Sequence, residues 1–581
     1  MSPPASLAAV LRKRAAGPDA MGLRFLFVGD DVPPGYTPEG PDRRIDLRHR
    51  DVLDLAQRAA GRLRAAGAGP GDRVLLILPT GPGFAAAFHG CQLLSAVPVP
   101  VVPPWSPDRL EEHVERIARI AAIAAPAVLV TTGEIATLLR GTRDRHPALA
   151  GALANLVVVE ELWAEPAAAT APEPCEGQVP ALIQFTSGST GDPKGVVISQ
   201  RALLANARAI AAAGAFGAGD AALTWLPLFH DMGLVGHFVT PLVAGIPAIL
   251  LPPEVFVRRP VDWLAAVGHY RATITTAPNF AYQICVRRIA ERDLAGLDLS
   301  TLRIAMCGGE PVHAKTLAAF AERFAPVGLR AAALFPVYGL AELTLAATFP
   351  PPGRGPRVDV VAREPFVAEG LARPAAPSGA PEATLSFVSV GSPMPGHAVR
   401  IVDASGASLP DRQEGEIELS GPSRMDGYFD DDAATAGALR DGWLRTGDLG
   451  YLAGGELHVS GRRKEVAVIR GRNVYPQDVE RAAETVEGVR AGRSAAFGVP
   501  AADQGTEALI LICELPPAAR ADPAEELRVL TGIRRAVLSA TGVTPDRVVL
   551  ADPGTIPKTS SGKTQRALAR ARYLALTEPA R

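Results

Sequence analysis

Two stretches of the chain alternate helix-like runs with short apolar runs, and this rhythm restricts the fold more than any other feature. Between residues 50 and 160, the run DVLDLAQRAAGRLRAAG is followed by the short apolar runs RVLLIL, VPVPVV and AVLVT. Between residues 199 and 337 the alternation resumes, with the strand-like runs ALTWLP, PAILL, TITTAP, LRIAMC and ALFPVY. Apolar strands separated by helices are typical of parallel sheets covered by helices. The sequence therefore predicts an α/β fold.

Polar clusters follow three of these predicted strands. His230 and Asp231 come after TWLPLF, residues 308–311 (GGEP) come after LRIAMC, and residues 338–342 (YGLAE) come after ALFPV. Ligands in such folds bind outside the carboxyl ends of the strands. We expect the three clusters to lie near one site.

A loop rich in glycine and hydroxyl groups, here called the phosphate loop, spans residues 186–194 between two apolar runs. Its backbone N–H and side-chain O–H groups can converge on an anion, and a lysine adds positive charge. A hairpin turn is the plain structural alternative, but the loop is longer than the two to five residues of such a turn. Its candidate ligand-binding residues are Thr186, Ser187, Gly188, Ser189, Thr190, Gly191 and Lys194.

The phosphate loop is not a Walker A loop. Lys194 follows Pro193 and precedes Gly195, whereas a Walker A lysine follows glycine and precedes serine or threonine. The Gly-Lys-Thr at residues 562–564 has Pro557 where the leading glycine should stand. A P-loop NTPase is therefore disfavoured.

Composition indicates a multi-domain cytoplasmic enzyme. The 581 residues, 48% of them apolar, exceed what one core accommodates. The formal net charge of −2 gives no reason to expect nucleic acid or an anionic membrane surface as a partner. The five cysteines are scattered without a CxxC pair, so we expect them to be reduced and buried. The N-terminus has the wrong order of charge and apolar residues for a secretory signal, and no apolar run is long enough to span a bilayer.

In the last third of the chain the alternation of helix-like and strand-like runs ends. Residues 349–391 are rich in Pro, Gly and Ala and carry few helix or strand signals, so we expect a long irregular insertion with a function. From residue 398 short strands broken by turns predict a small β-rich subdomain. The segment GRRKEVAVIRGRN reads as a hinge or linker, and the remainder predicts a small α+β domain ending in a basic loop and helix.

Five motifs in order resemble those of the adenylate-forming superfamily of acyl and aryl ligases, synthetase adenylation domains and luciferases. They are TSGSTGDPKG (186–195), YGLAE (338–342), GWLRTGDLG (442–450), GRRKE (461–465) and PKTSSGK (557–563). Within the superfamily, FHDMGLVG, MCGGEPV, RGRNVYPQDVE and the insertion resemble the fatty acyl-AMP ligases. Those enzymes convert a fatty acid and ATP into the acyl-adenylate and pyrophosphate, then transfer the acyl group to an acyl carrier protein.

The resemblance also implies a domain plan. Residues 1–461 would form a large N-terminal adenylation domain of parallel and mixed sheets, with the insertion near 350–388 and the β-rich subdomain near 396–461. Residues 462–465 would be a hinge, with Lys464 as its pivot. Residues 466–581 would form a small mobile α+β domain that carries the catalytic lysine, Lys563.

The same resemblance assigns roles to individual residues. Lys563 would bridge the carboxylate and the α-phosphate, and His230 would stand at the mouth of the acyl pocket. Asp448 would accept hydrogen bonds from the ribose hydroxyls, Tyr338 and its neighbour Gly339 would meet the adenine, and Arg462 would contact ribose or phosphate. The implied adenine pocket, for which a simple turn is the alternative, consists of Gly308, Gly309, Glu310 and Pro311.

The phosphate loop would hold the β- and γ-phosphates, and Glu342 would bind Mg²⁺, since a carboxylate and phosphate oxygens suit a hard cation. From the residues alone each candidate also allows a plain structural role, such as a solvated lysine for Lys563 or an acid at a helix N-terminus for Glu342.

Two other functions stay open at this point. The first is a fatty acyl-CoA synthetase, which uses the same adenylate but a different thiol. The second is a non-catalytic homologue that binds nucleotide or acyl ligand. The predicted partners are a fatty acid and an acyl carrier protein on a separate chain, with ATP and Mg²⁺ as cofactors.

Overall fold

The computed structural model describes residues 4–104, 110–142, 145–163, 179–186, 193–376, 383–469, 472–501, 506–559 and 562–577. The described α-helices are α1 (Leu7–Ala15), α2 (His49–Ala65), α3 (Pro82–Leu94), α4 (Leu110–Ala124), α5 (Gly133–Gly141), α6 (Pro147–Ala154), α7 (Gln200–Ala213), α8 (Asp231–Gly233), α9 (Thr240–Ala244), α10 (Pro253–Arg258), α11 (Pro260–His269), α12 (Asn279–Arg288), α13 (Glu291–Leu294), α14 (Ala314–Phe324), α15 (Arg363–Glu369), α16 (Asp432–Ala438), α17 (Pro476–Ala483), α18 (Pro517–Arg520), α19 (Pro523–Thr541) and α20 (Arg566–Thr577).

The described strands alternate with these helices in the first half of the chain and cluster after residue 333. They are β1 (Met21–Phe25), β2 (Ile45–Arg48), β3 (Arg73–Ile77), β4 (Val97–Pro100), β5 (Val128–Thr131), β6 (Leu156–Val158), β7 (Pro180–Thr186), β8 (Lys194–Ser199), β9 (Ala222–Thr224), β10 (Ala248–Leu250), β11 (Ile274–Ala277), β12 (Ile304–Cys307), β13 (Leu334–Pro336), β14 (Tyr338–Gly339), β15 (Ala346–Phe349), β16 (Val358–Ala362), β17 (Thr384–Val388), β18 (Ser392–Pro393), β19 (Ala398–Val402), β20 (Gly415–Ser420), β21 (Gly427–Tyr428), β22 (Leu439–Arg440), β23 (Trp443–Ala453), β24 (Glu456–Arg462), β25 (Ala467–Ile469), β26 (Arg472–Val474), β27 (Ser494–Ala501), β28 (Thr506–Glu514) and β29 (Arg547–Ala551).

Two sheets with parallel strands form the large domain, as the alternation predicts. One has the order β4-β3-β5-β6, and all its strand pairs are parallel. The other has the order β13-β12-β11-β9-β10-β1-β2, parallel except where β2 runs against β1. Strands β9 to β12 are buried along their whole length, which explains their continuous apolar runs. The segments after β9, β12 and β13 lead to the three predicted polar clusters.

The β-rich subdomain is built on the antiparallel order β19-β20-β23-β22, with β24 pairing the other stretch of β23. The short strands broken by turns therefore predicted its class correctly. Its last strand, β24, ends at Arg462, and residues 463–465 form a turn. The segment expected to be a hinge or linker is thus partly strand, because β24 runs into it and the hairpin β25–β26 follows.

The prediction of an irregular insertion is wrong. Strands β16 and β17 pair in an antiparallel register from Val358↔Val388 to Ala362↔Thr384, and α15 connects to β16 directly. The error has a physical reason: Pro and Gly flank these short elements, and both Val358 and Val360 point to solvent, so no apolar periodicity marks the strand. Phe366 of α15 is fully buried and packs against Tyr451 and Tyr475.

Residues after the turn at 463–465 have cores of their own. One apolar cluster contains only residues from Ala467 to Leu550, and another contains only residues from Ala495 to Leu574. The sheet β27-β28-β29 lies between helices α17, α19 and α20, an α+β arrangement. The separate cores are consistent with the predicted domain boundary, and the motion of the small domain stays a prediction.

Two further sequence predictions concern cysteines and membranes. The four cysteines in the described residues are buried and make no disulfide, while Cys175 lies outside the described residues. No helix among the described residues combines the length and the apolar character that crossing a membrane requires.

Candidate active site

Asp448 is the meeting point of three predicted site residues. It lies in β23, and Arg462 stands directly opposite it in the antiparallel register with β24. Arg462 Nε donates to Asp448 Oδ1 at 2.8 Å, and the Tyr338 hydroxyl donates to Asp448 Oδ2 at 2.8 Å. Asp448 raises the pKa of Arg462, and burial, followed by the charge of Asp448, raises the pKa of Tyr338. The predicted ribose, adenine and phosphate residues therefore share one carboxylate.

Lys563 is presented by a tight loop in the small domain. The Lys563 amide donates to Thr559 Oγ1 at 3.0 Å, and the Thr559 amide donates to the Lys563 carbonyl at 2.8 Å. Gly562 has a φ of +83°, a value that L-residues avoid, and a Cβ on it would lie against the ring of Phe280 in the large domain. Lys563 Nζ comes within 3.8 Å of the point where a Cβ on Gly309 would stand. The ammonium group thus enters the large domain at the end of β12.

The surroundings of Lys563 are mainly acidic. Burial lowers the pKa of Lys563 below its ordinary value of 10.5, while the negative charges of Asp231, Glu310 and Asp448 oppose that shift. The positive charge of Arg462 lowers the pKa further. An ammonium held among carboxylates, but still partly desolvated, is well placed to meet an additional anion.

His230 and Asp231 are in contact at the start of α8. His230 Nδ1 lies 2.7 Å from Asp231 Oδ1, and this carboxylate oxygen also accepts from the Met232 amide at 2.7 Å. Burial raises the pKa of Asp231, but the charges of His230 and Lys563 outweigh burial and leave the pKa lowered. The sequence analysis gave Asp231 only a capping or supporting role, and the structure places its charge beside Lys563.

The four residues of the predicted adenine pocket follow β12. Glu310 Oε1 accepts the Phe280 amide at 2.6 Å and so satisfies the first turn of α12, which indicates a structural role for this carboxylate. Burial raises the pKa of Glu310. Gly308 packs against the backbone of Val337, and Gly309 faces Met232 and Lys563. Pro311 is exposed, so the structure does not bring it into the cluster.

Glu342 and Lys194 form a second cluster next to the first. The Tyr428 hydroxyl donates to Glu342 Oε1 at 2.9 Å, and Lys194 Nζ lies 5.1 Å from the centre of the Tyr428 ring. Burial raises the pKa of Glu342, although Tyr428 and Arg462 act in the opposite direction. Arg462 is bonded to Asp448 and its charge also acts on Glu342, so the two clusters adjoin.

The turn that carries Glu342 is held by residues that sequence reasoning missed. Asn206, fully buried in α7, donates to the carbonyls of Leu343 and Ala346 and accepts the Ala346 amide at 3.1 Å. Thr344, also fully buried, has a φ of +72°, a strained value for a β-branched residue, and donates to the Ser423 carbonyl at 2.6 Å. Gly339 approaches the Leu345 carbonyl so closely that a Cβ would lie 1.8 Å from it. No motif around Asn206 announced this contact, because its partners lie more than 130 residues away.

Part of the predicted phosphate loop lies outside the described residues. Ser187, Gly188, Ser189, Thr190 and Gly191 belong to that part. Thr186 ends β7 and pairs with Lys194 at the start of β8, so the strands on both sides of the loop are as predicted. Lys464 lies in the turn after β24, and its pivot role stays a prediction.

The donor set around Glu342 fits Mg²⁺. Among the described residues no group of three or more His, Cys, Asp or Glu side chains could hold a metal ion without other ligands. Mg²⁺ commonly binds one or two carboxylates and takes its remaining ligands from phosphates and water. The single carboxylate of Glu342, beside the lysine of the phosphate loop, provides that arrangement.

The two clusters together can activate a carboxylate with a nucleotide. The site brings together the carboxylates of Asp448 and Glu342 with the cationic side chains of Lys563, Lys194 and Arg462. Carboxylates can accept from hydroxyl groups or bind a hard cation, and the cations can pair with phosphate and carboxylate oxygens. Bringing two anions together requires orientation and cationic stabilisation, which preorganised groups supply.

Comparisons with known proteins agree with this chemistry. The family model described as "AMP-binding enzyme" matches residues 37–429. A relative from Moorena producens, named medium-chain-fatty-acid–[acyl-carrier-protein] ligase JamA, is 35% identical over 529 residues, 87% of this chain and 86% of the relative. A relative from Caulobacter vibrioides, whose name places it provisionally among the acyl-CoA synthetases, is 36% identical over 535 residues, 91% of each chain.

A solved structure from a study of fatty acyl-adenylate ligases from E. coli and L. pneumophila superimposes with a TM-score of 0.88. It is 34% identical, and the likeness covers 98% of each chain. The predicted fold class and superfamily are confirmed. The protein is a member of the AMP-binding enzyme family, with the fold of the adenylate-forming ligases.

Proposed function

We propose that this protein activates a fatty acid with ATP and Mg²⁺ and transfers the acyl group to the phosphopantetheine thiol of a separate acyl carrier protein. The position of Lys563 carries the proposal: its ammonium lies at the end of β12 beside Gly309, in the field of Asp231 and Asp448. The name of the Moorena producens relative supports the fatty acid and the carrier protein as reaction partners.

In the first half-reaction a carboxylate oxygen of the fatty acid attacks the α-phosphorus of ATP. The bond from that phosphorus to the bridging oxygen breaks, and its electron pair leaves with pyrophosphate. Lys563 neutralises the carboxylate and the α-phosphate as they approach, and Asp448 holds the ribose. Lys194 and the phosphate loop hold the departing pyrophosphate, and Glu342 would hold Mg²⁺, which would supply positive charge beside it.

In the second half-reaction the thiol sulfur bonds to the acyl carbon, and the bond from that carbon to the phosphate oxygen of AMP breaks. AMP leaves with that electron pair, and the thiol proton passes to solvent. Lys563 has to withdraw for the thiol to enter, so we propose that the small domain turns about residues 462–465, with Lys464 as pivot. The ion pair between Arg463 and the buried Glu416 of β20, 3.0 Å long, attaches the start of this turn to the β-rich subdomain. A hinge must absorb a large change of backbone angles at a few residues.

Lys563→Ala tests the first half-reaction. We expect ATP–pyrophosphate exchange with fatty acids to fall by about two to three orders of magnitude, the scale of a lost transition-state contact. Lys315→Ala, which removes an exposed lysine from α14, is the matched control and should exchange at the wild-type rate. Unchanged exchange by a folded Lys563→Ala variant would contradict the assignment.

The acyl acceptor distinguishes the proposal from a fatty acyl-CoA synthetase, the class named for the Caulobacter vibrioides relative. Enzyme, ATP and fatty acid are incubated with either a phosphopantetheinylated carrier protein or coenzyme A. We expect acyl transfer to the carrier protein, and efficient formation of acyl-CoA would favour the synthetase. If hydroxylamine traps no acyl product from any chain length, the protein is a non-catalytic homologue instead.

A further inference from the structure

Tyr428 lies between the two groups that the proposed function assigns to Mg²⁺ and to pyrophosphate. Its hydroxyl donates to Glu342 Oε1 at 2.9 Å. The Nζ of Lys194 lies 5.1 Å from the centre of the Tyr428 ring, within the range of a cation–π contact. One side chain therefore contacts the candidate metal ligand with its polar tip and the phosphate-loop lysine with its ring.

The backbone fixes Tyr428 on both sides. Strand β21 pairs with β8, which places Tyr428 opposite Val196, two residues after Lys194. On the other side, the Met425 amide donates to the Glu342 carbonyl at 2.9 Å. The Tyr428 amide donates to Thr435 Oγ1 at 2.8 Å. These pairings fix the main chain at Tyr428, and the contacts with Glu342 and Lys194 orient its ring.

The contacts of Tyr428 leave both partners available for ligands. The phenol O–H occupies one acceptor direction of the Glu342 carboxylate, and a carboxylate has about four such directions. Among the described residues, Lys194 Nζ lies 4.0 Å from Asp431 Oδ2 and faces the Tyr428 ring, and both are weaker contacts than a hydrogen-bonded ion pair. The hydrogen bond orients the Glu342 carboxylate, and the weak ring contact keeps the Lys194 ammonium nearby without neutralising it. This arrangement suits a site that binds a metal ion and a phosphate.

We propose that Tyr428 is a positioning residue that orients Glu342 toward Mg²⁺ and holds Lys194 ready for the β- and γ-phosphates. The inference rests on the proposed function for the identity of the ligands. It goes further by assigning a role to a residue outside the five motifs, at a point where one side chain joins the two residues of the second cluster, Glu342 and Lys194.

Tyr428→Phe tests the hydroxyl, because it keeps the ring over Lys194 and removes only the donor to Glu342. Hydrogen bonds to a charged group are among the stronger ones, so we expect the Mg²⁺ concentration for half-maximal ATP–pyrophosphate exchange to rise about tenfold. The KM for the fatty acid should stay at its wild-type value, since Tyr428 does not contact the Lys563 cluster. Tyr428→Leu removes the ring as well and should in addition weaken inhibition by pyrophosphate.

Nucleotide binding supplies a readout that does not depend on turnover. Calorimetric titration of ATP into Tyr428→Phe should show an affinity about tenfold lower than wild type with Mg²⁺, and an unchanged affinity with EDTA. Tyr451→Phe is the matched control: the Tyr451 hydroxyl also donates to a carboxylate, Asp359 at 2.9 Å, but between β23 and β16. Tyr451→Phe should lower the thermal midpoint and leave the Mg²⁺ dependence unchanged.

The outcomes separate this inference from the proposed function. If Tyr428→Phe requires the same Mg²⁺ concentration and binds ATP as the wild type does, the positioning role is wrong. An equal loss toward ATP, Mg²⁺ and fatty acid, together with a lower thermal midpoint, would show a purely structural role and also overturn the inference. If the wild type forms no adenylate, the proposed function fails, while the Mg²⁺-dependent ATP titration still decides the role of Tyr428.

Discussion

Gly562→Ala is expected to slow adenylate formation because Gly562 lies where the small domain touches the large one. Its φ of +83° belongs to the left-handed region, and a Cβ would stand 3.0 Å from Cε1 of Phe280. The left-handed conformation costs a residue with a Cβ about 1–2 kcal/mol. The loop of a free small domain can relax to relieve this strain, but a loop that presents Lys563 beside Gly309 cannot.

The strain therefore raises the free energy of the arrangement in which the small domain holds Lys563 beside Gly309. A penalty of about 1–2 kcal/mol corresponds to a rate lower by roughly 5- to 30-fold, since 1.36 kcal/mol is a factor of ten. ATP–pyrophosphate exchange at saturating ATP and fatty acid measures this rate. Gly554→Ala is the matched control: Gly554 has a φ of +91° in the same domain, and its Cβ would meet nothing within 4 Å.

Gly554→Ala should thus lower the thermal midpoint of the small domain without changing exchange. Phe280→Ala removes the ring that an alanine at position 562 would touch, so the double variant should lose less activity than the two single losses predict. Equal exchange rates for Gly562→Ala and wild type, in folded protein, would refute the argument that Gly562 sets the approach of Lys563.

The remaining predictions concern pH. Lys563 must be charged to act, and burial lowers its pKa below 10.5, so exchange should fall as pH rises through that lowered value. Asp231→Asn removes a charge that favours the ammonium, so this alkaline limb should move to lower pH; an unmoved limb would show that Lys563 does not limit the rate there. His89 and His237 are each 2% exposed, and burial lowers their pKa values to about 3 and about 4. Because the folded protein holds both histidines neutral, their contribution to stability is complete above the unfolded pKa of 6.5 and is lost as pH falls toward the folded pKa. By pH 5 the loss is on the order of 2 kcal/mol per histidine. The thermal midpoint should therefore drop between pH 7 and 5, and a flat profile would contradict it.

The sequence predicted the sheets because the apolar pattern of each strand and helix is contained in its own short segment. Buried strands such as β9 and β12 are short continuous apolar runs, and the helices between them repeat with a different period, so both can be recognised without tertiary contacts. The insertion escaped this reasoning, since the exposed Val358 and Val360 of β16 give no buried face to detect. Strand β16 forms by pairing with β17, which lies more than twenty residues later in the chain, so local sequence does not reveal it.

In the candidate site, too, some residues could be found from the sequence and others could not. The resemblance of the motifs to those of the adenylate-forming superfamily led to Asp448, Arg462 and Lys563, whose convergence the structure shows. Tyr428 and Asn206 escaped notice because each works through partners that lie 86 or more residues away in the chain. A tyrosine in GYFD or an asparagine in a helix carries no local sign of the group it will contact. Such supporting residues become visible only when the backbone brings the elements together.

The pairing of Asp448 with Arg462 has a consequence for the fate of the intermediate. Both residues belong to the β23–β24 ladder, on the large-domain side of residues 463–465, whereas Lys563 lies beyond them. A turn of the small domain would therefore carry the reactive cation away and leave the ribose anchor in place. The adenylate would stay bound but could no longer be reversed by pyrophosphate, because the group needed for the back reaction has left. Under the proposed function, retention of the adenylate and reversal by pyrophosphate would thus depend on residues on opposite sides of a three-residue turn, and the turn of the small domain would set the order of the two half-reactions.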